Sequence, residues 1–230
     1  MNKALKTTSL SINQATRVVP WLLWVCALVV GVSILFSVSE SLITALTRAT
    51  PPGQLLYVFS KLTGLLAIVL VWLQLMLSLS SRIFGRMVYA GSWIHRASGL
   101  ALLLLLFLHA VLFVAAVSVR NGELSAGILV PDFTSGYYTS SVSLGILGLL
   151  LFGLGSGIYV LRQKRERLFR WGHRCVILAC LLVFAHSYLI GSDTQSTLMR
   201  ALYLLSSTFL LVALVVLYLK PFVMRRMQYD

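Results

Sequence analysis

The chain has 230 residues, of which 59% are hydrophobic and 11% charged, with a formal net charge of +13. A water-soluble domain carries roughly 25% charged residues, so this composition excludes that class and points to a membrane. The positive excess does not indicate a nucleic-acid partner, because it is gathered in short segments between apolar runs.

Six runs approach the length of about 20 apolar residues that a bilayer crossing needs. In chain order the spans are expected at Pro20–Val38, Leu56–Leu79, Trp93–Ser118, Ser141–Leu161, Trp171–Ile190 and Met199–Leu219. All are too long and too uniformly apolar for barrel strands, and backbone groups in lipid must be satisfied within the segment, so each is expected to be a helix. The fold expected is an all-α integral membrane protein, a six-helix bundle over residues 20–219. Residues 1–19 and 220–230 then form cytoplasmic ends.

The first span follows Lys3, Lys6 and Arg17, as a signal peptide would, but its polar lead and apolar run are both long for one. With both termini inside, 15 of the 19 Lys and Arg residues are cytoplasmic. Only Arg48, Lys61, Arg120 and Arg200 lie on the other side. This asymmetry is the positive-inside signature, and basic stretches such as 162–170 face anionic lipid on that reading. The setting expected is a bacterial plasma (inner) membrane.

Between the first two spans, Pro51-Pro52-Gly53 marks a turn. The longest loop, 120–140, carries Asn121-Gly122, Pro131 and Gly136 and ends at the interfacial pair Tyr137-Tyr138. The fourth span is rich in glycine, and its Gly153 and Gly157 have the small-xxx-small spacing of close helix contact. Cys26, Cys175 and Cys180 lie within spans without metal or redox spacing and are read as packing residues.

All four histidines fall in the third and fifth spans: His95 and His109, then His173 and His186. Ionisable groups inside a membrane are functional candidates by default. His109 lies about 21 Å along the helix axis from His95, and His186 about 20 Å from His173. Both helices run the same way, so they present histidines at two matching levels. Paired neutral imidazoles on neighbouring helices are the arrangement that holds a haem iron from both axial sides. One difficulty attends the spacing. Fourteen residues return His109 to within about 40° of the His95 face, whereas thirteen leave His186 about 140° from His173 unless a bulge or bend intervenes.

The stretch His95-Arg96-Ala97-Ser98-Gly99 running to His109, with Trp171-Gly172-His173 running to His186, resembles the ferric reductase–NADPH oxidase transmembrane family. Lys61-Leu62-Thr63-Gly64-Leu65-Leu66, leading to Gln74 and Arg82, is similar to that family's second helix. The resemblance implies two b haems with bis-histidine ligation, His95 and His173 on the inner one and His109 and His186 on the outer one. It places Gly99 where a porphyrin would lie against the helix. Arg82, Arg86, Arg96 and Arg174 become candidates for the inner propionates, and Lys61 for an anionic group near the outer haem. Phe107 and Phe184 are candidates for lining the route between levels.

Family members commonly carry a flavin- and nicotinamide-binding module after the sixth helix, and this sequence has no glycine-rich phosphate loop. FAD and NAD(P)H are therefore expected only through a separate cytoplasmic reductase or a missing domain, docked on the basic inner surface. The activity expected is electron transfer to an extracytoplasmic acceptor: ferric iron, oxygen or a periplasmic redox partner. A proton-relay transporter built on the same histidines is the alternative, and intramembrane carboxylates would favour it.

Overall fold

Among the described residues of the computed structural model, five helices long and apolar enough to cross a membrane follow one another. The structure describes residue 25, residues 28–84, 92–158 and 164–191, and single positions between 200 and 215. Helix α1 spans Leu28–Thr47, α2 Gln54–Phe84, α3 Ser92–Asn121, α4 Tyr137–Gly157 and α5 Glu166–Ile190, and no strand occurs among the described residues. The sixth expected span, Met199–Leu219, lies mostly outside the described residues, and its described positions are helical. The expected ends 1–19 and 220–230 lie outside them too, as do Cys26, Arg86 and Arg162.

Several helices run past the expected ends. α1 continues beyond Val38 because its polar residues do not break it. Ser39 donates to the Phe36 carbonyl at 2.6 Å and Thr47 to that of Ile43 at 2.7 Å, so the hydroxyls satisfy themselves on the helix's own backbone. Apolar side chains such as Ile43 and Leu46 carry its outer face onward. α4 begins four residues early, at Tyr137, where Ser141 donates back to the Tyr137 carbonyl at 2.7 Å.

The turns sit where glycine is required. Gly53, at φ +78°, lies so close to the Ala116 carbonyl that a side chain would strike α3. Gly122, at φ +73°, follows the last residue of α3 in the left-handed conformation that ends helices.

Packing forms two helical hairpins. α2 lies along α3 and α4 along α5, with far lighter contact between the pairs. The buried core joins Ile34 and Val38 of α1, Leu65, Ile68 and Val71 of α2, Leu102 and Leu106 of α3, Phe152 of α4 and Val183 of α5. Outward faces are apolar as well, with Phe36 79% and Leu100 70% exposed, as lipid contact demands.

The α4–α5 seam is made by glycines, though not by the expected pair. Among the described residues, nothing lies within 4 Å of a Cβ at Gly153 or Gly157. Gly148 instead presses on Val183 and Gly155 on Val176, while Gly172 of α5 receives Ile158. A small-xxx-small spacing does not reveal which face meets a neighbour, and here the seam follows positions 148 and 155, two turns apart.

Candidate functional site

The cleft between the hairpins brings the four histidines together in two pairs. His95 of α3 faces His173 of α5 with ring centroids 6.1 Å apart and planes at 78°. His109 faces His186 at 6.3 Å and 70°. The pairing holds although α5 is an unbroken α-helix over Glu166–Ile190, so the anticipated bulge is not what resolves the 140° difficulty. The two rings leave α5 on different flanks. His173 stacks on Phe169, one turn earlier, at 5.6 Å, while His186 reaches α4 and the Ser141 carbonyl.

At the second level both rings are held from behind. His109 Nδ1 lies 2.7 Å from the Ser60 carbonyl oxygen, and His186 Nδ1 lies 2.8 Å from that of Ser141. A carbonyl can only accept, so Nδ1 carries the hydrogen in each ring and Nε2 keeps its lone pair. Carbonyl-bound imidazoles of this kind are how proteins orient a metal-ligating histidine.

At the first level the support differs. Gln74 Nε2 donates to the His95 carbonyl at 3.0 Å and to Ser98 Oγ at 2.6 Å, tying α2 to the turn that carries His95.

Around His109 and His186 opens a cavity of about 150 Å³. Its walls are mostly apolar, from Leu65, Ile68, Leu106, Ile146, Leu149 and Val183, with Tyr57, Ser60, Lys61, Tyr138 and Ser187 as polar exceptions. Apolar walls with a few placed polar groups are the usual make-up of a small-molecule site.

The separations bear on what fits. A metal–imidazole bond is about 2.0 Å, so two rings binding one ion from opposite sides have centres about 6.2 Å apart. Each level has that spacing. Among the described residues no group of three or more His, Cys, Asp or Glu side chains converges, so each level offers an ion two protein ligands. A macrocycle would complete such a set from its own nitrogens.

The other expected site residues are placed as follows. Lys61 lines the second-level cavity. A Cβ at Gly99 would lie 3.8 Å from Gln74 Nε2, an ordinary contact. Arg174 is exposed and sits over the exposed Trp171 ring at 5.0 Å. Arg96 is also exposed, and Arg82 lies in the last turn of α2 with its side chain outside the described set. Phe107 is 63% exposed on the outer face, and Phe184 packs edge-on against Tyr203, so neither ring lines the cavity. Cys180 is buried and Cys175 turns to the Trp171 carbonyl, in keeping with packing roles.

Ser60, Ser141 and Gly145 are site residues that sequence reasoning does not single out. The available signal is a Ser-x-x-x-Gly spacing at 60–64 and 141–145, but Ser118–Gly122 and Ser187–Gly191 share it at helix ends. No match was found to any family model, curated protein or solved structure.

Proposed function

We propose that this chain is a two-haem electron carrier of the membrane. In this reading His95 and His173 hold an inner b haem and His109 and His186 an outer one. Electrons arrive from a cytoplasmic flavin- or NAD(P)H-dependent donor and leave to an extracytoplasmic acceptor. The observation that carries the reading is the pairing of all four histidines, two by two, across one cleft at separations suited to a shared ion. Bound there, a haem supplies a one-electron iron couple whose potential its axial ligands and surroundings set.

The chain's own residues supply the rest. Ser60 and Ser141 carbonyls keep the second-level rings in one tautomer, with Nε2 available as a ligand. Leu65, Ile68, Leu106 and Val183 present an apolar wall that favours a flat apolar group over water. Lys61 puts a positive charge on the same cavity, where it favours a group that gains negative charge on reduction.

The test is the colour of the purified chain from haem-replete cells. A reduced-minus-oxidised spectrum of b type and about two haems per chain are expected. A colourless, folded protein under those conditions overturns the reading and favours proton relay through the histidines.

A further inference from the structure

We propose that Gly64 and Gly145 are positioning residues for the second histidine level, each opening a helix carbonyl to an imidazole from the neighbouring helix. The proposal deepens the haem reading and rests on it for its purpose, though not for its geometry.

In an α-helix the Cβ of each residue leans toward the N-terminus, so residue i+4 covers the turn that holds the carbonyl of residue i. That carbonyl takes one N–H from within the helix and has a second lone pair to offer. Any side chain at i+4 stands over it. On α2 the carbonyl that accepts from His109 belongs to Ser60, and position i+4 is Gly64. On α4 the carbonyl that accepts from His186 belongs to Ser141, and position i+4 is Gly145.

The space confirms the register. A Cβ at Gly64 would stand 2.9 Å from His109 Nδ1 and 3.0 Å from its Cε1. One at Gly145 would stand 2.7 Å and 2.8 Å from the same atoms of His186. Carbon contacts are comfortable at about 3.5–4.0 Å, so neither ring can stay where it is if the glycine gains a methyl group.

The device occurs twice, once in each hairpin, with α2 serving α3 and α4 serving α5. Its effect is to lock each ring from behind while Nε2 faces the cleft. Gly153, also on α4, has nothing within 4 Å of a Cβ among the described residues and serves as an internal control.

The experiment uses full-length protein labelled with ¹⁵N-histidine, prepared both from haem-starved and from haem-replete cells. In the haem-free wild type, imidazole ¹H–¹⁵N correlations are expected to show His109 and His186 protonated at Nδ1, assigned by single histidine replacements. In Gly64→Ala the His109 signature is lost, in Gly145→Ala that of His186, and Gly153→Ala keeps both. In haem-replete protein the Gly64 and Gly145 variants lose the second-level haem spectrum or shift its potential, and Gly153→Ala does neither.

Wild-type rings protonated at Nε2, or glycine variants with unchanged tautomers and spectra, overturn the proposal. The wild-type measurement decides the matter even if an alanine variant fails to fold. A colourless wild type with the expected tautomers sinks the haem reading and leaves the glycine device standing. A coloured wild type with indifferent glycine variants does the reverse.

Discussion

Ser60 and His109 hold each other at both ends. The His109 Nδ1–H donates to the Ser60 carbonyl at 2.7 Å, and the Ser60 hydroxyl donates to the His109 carbonyl at 2.9 Å. The two bonds join α2 to α3 within helices apolar enough to cross a membrane, where an unsatisfied polar group is costly. They differ in weight: the carbonyl is the closer acceptor for Nδ1, while the hydroxyl fastens the backbone and also lies 3.1 Å from Nδ1.

Ser60→Ala separates them. It removes the hydroxyl, with its bond to the His109 carbonyl and its 3.1 Å contact to Nδ1, and keeps the carbonyl at 2.7 Å, the closer partner, which is expected to hold the ring. Such bonds are worth about 0.6 kcal/mol on average in membrane proteins, and unfolding in mixed micelles should show a loss of that order, up to about 1.5 kcal/mol. Haem content should not change. A variant that lost the second-level haem would show that the hydroxyl, not the carbonyl, sets the ring.

Replacing histidines by alanine should act by level. His109→Ala and His186→Ala are expected to give the same spectrum, each keeping about one haem per chain, and the double variant should add nothing further. His95→Ala and His173→Ala should form the other matching pair. Quantitative haem assay of the six proteins checks this. Equal loss from both levels in every single variant would mean that the cleft collapses as one unit.

Sequence reading goes far here because membrane physics leaves few choices. Hydrophobic runs give the helices, and histidine depth gives the pairing of His95 with His173 and of His109 with His186. Rotation about a helix axis is what spacing cannot settle. The small-residue rule therefore names Gly153 and Gly157, which meet nothing among the described residues, and overlooks Gly148 and Gly155 on the seam. The carbonyl bonds of Ser60 and Ser141 are likewise invisible in sequence, since any residue type supplies a carbonyl and only the bare glycine one turn later gives it away.

The glycine seam makes a paired prediction. A Cβ at Gly155 would lie 2.5 Å from Val176 Cγ2 and 3.1 Å from the Gly172 carbonyl. Gly155→Ala is therefore expected to destabilise α4 against α5 by about 1–3 kcal/mol, the usual range for overpacking. Gly153→Ala meets nothing within 4 Å and should be neutral or gain up to about 1 kcal/mol from the better helix former. Unfolding midpoints of the two variants, measured side by side, should fall on opposite sides of the wild type or nearly so.

The loop between α3 and α4 has its own pH response. Asp132 Oδ1 accepts from the Thr134 amide and hydroxyl at 2.8 Å each and from the Ser135 amide at 3.2 Å. Hydrogen bonds from Ser135, then Thr134, hold its carboxyl down to about 2. A carboxyl whose value is lowered by folding contributes order that is present above about 4, its ordinary range, and is lost as the pH falls through about 2. Pepsin cleavage within residues 121–136 should rise over that window, relative to an Asp132→Ala variant that is open throughout. A constant ratio between the two would remove Asp132 as the loop's organiser.

Lys61 offers the sharpest electrostatic test. It lines the cavity that His109 and His186 share, within a helix apolar enough to cross a membrane. A nearby cation favours whichever state carries less positive charge, which for a haem iron is the reduced one. Lys61→Met keeps the length and apolar stem and removes the charge. The second-level potential should then fall by an amount on the order of tens of millivolts, because the low dielectric of the site screens the charge poorly. The first-level potential should not move, since its histidines lie nearly four turns of helix away. A spectroelectrochemical titration resolves the two. An unchanged second-level potential would mean that the ammonium snorkels out to the interface and that only its stem lines the cavity.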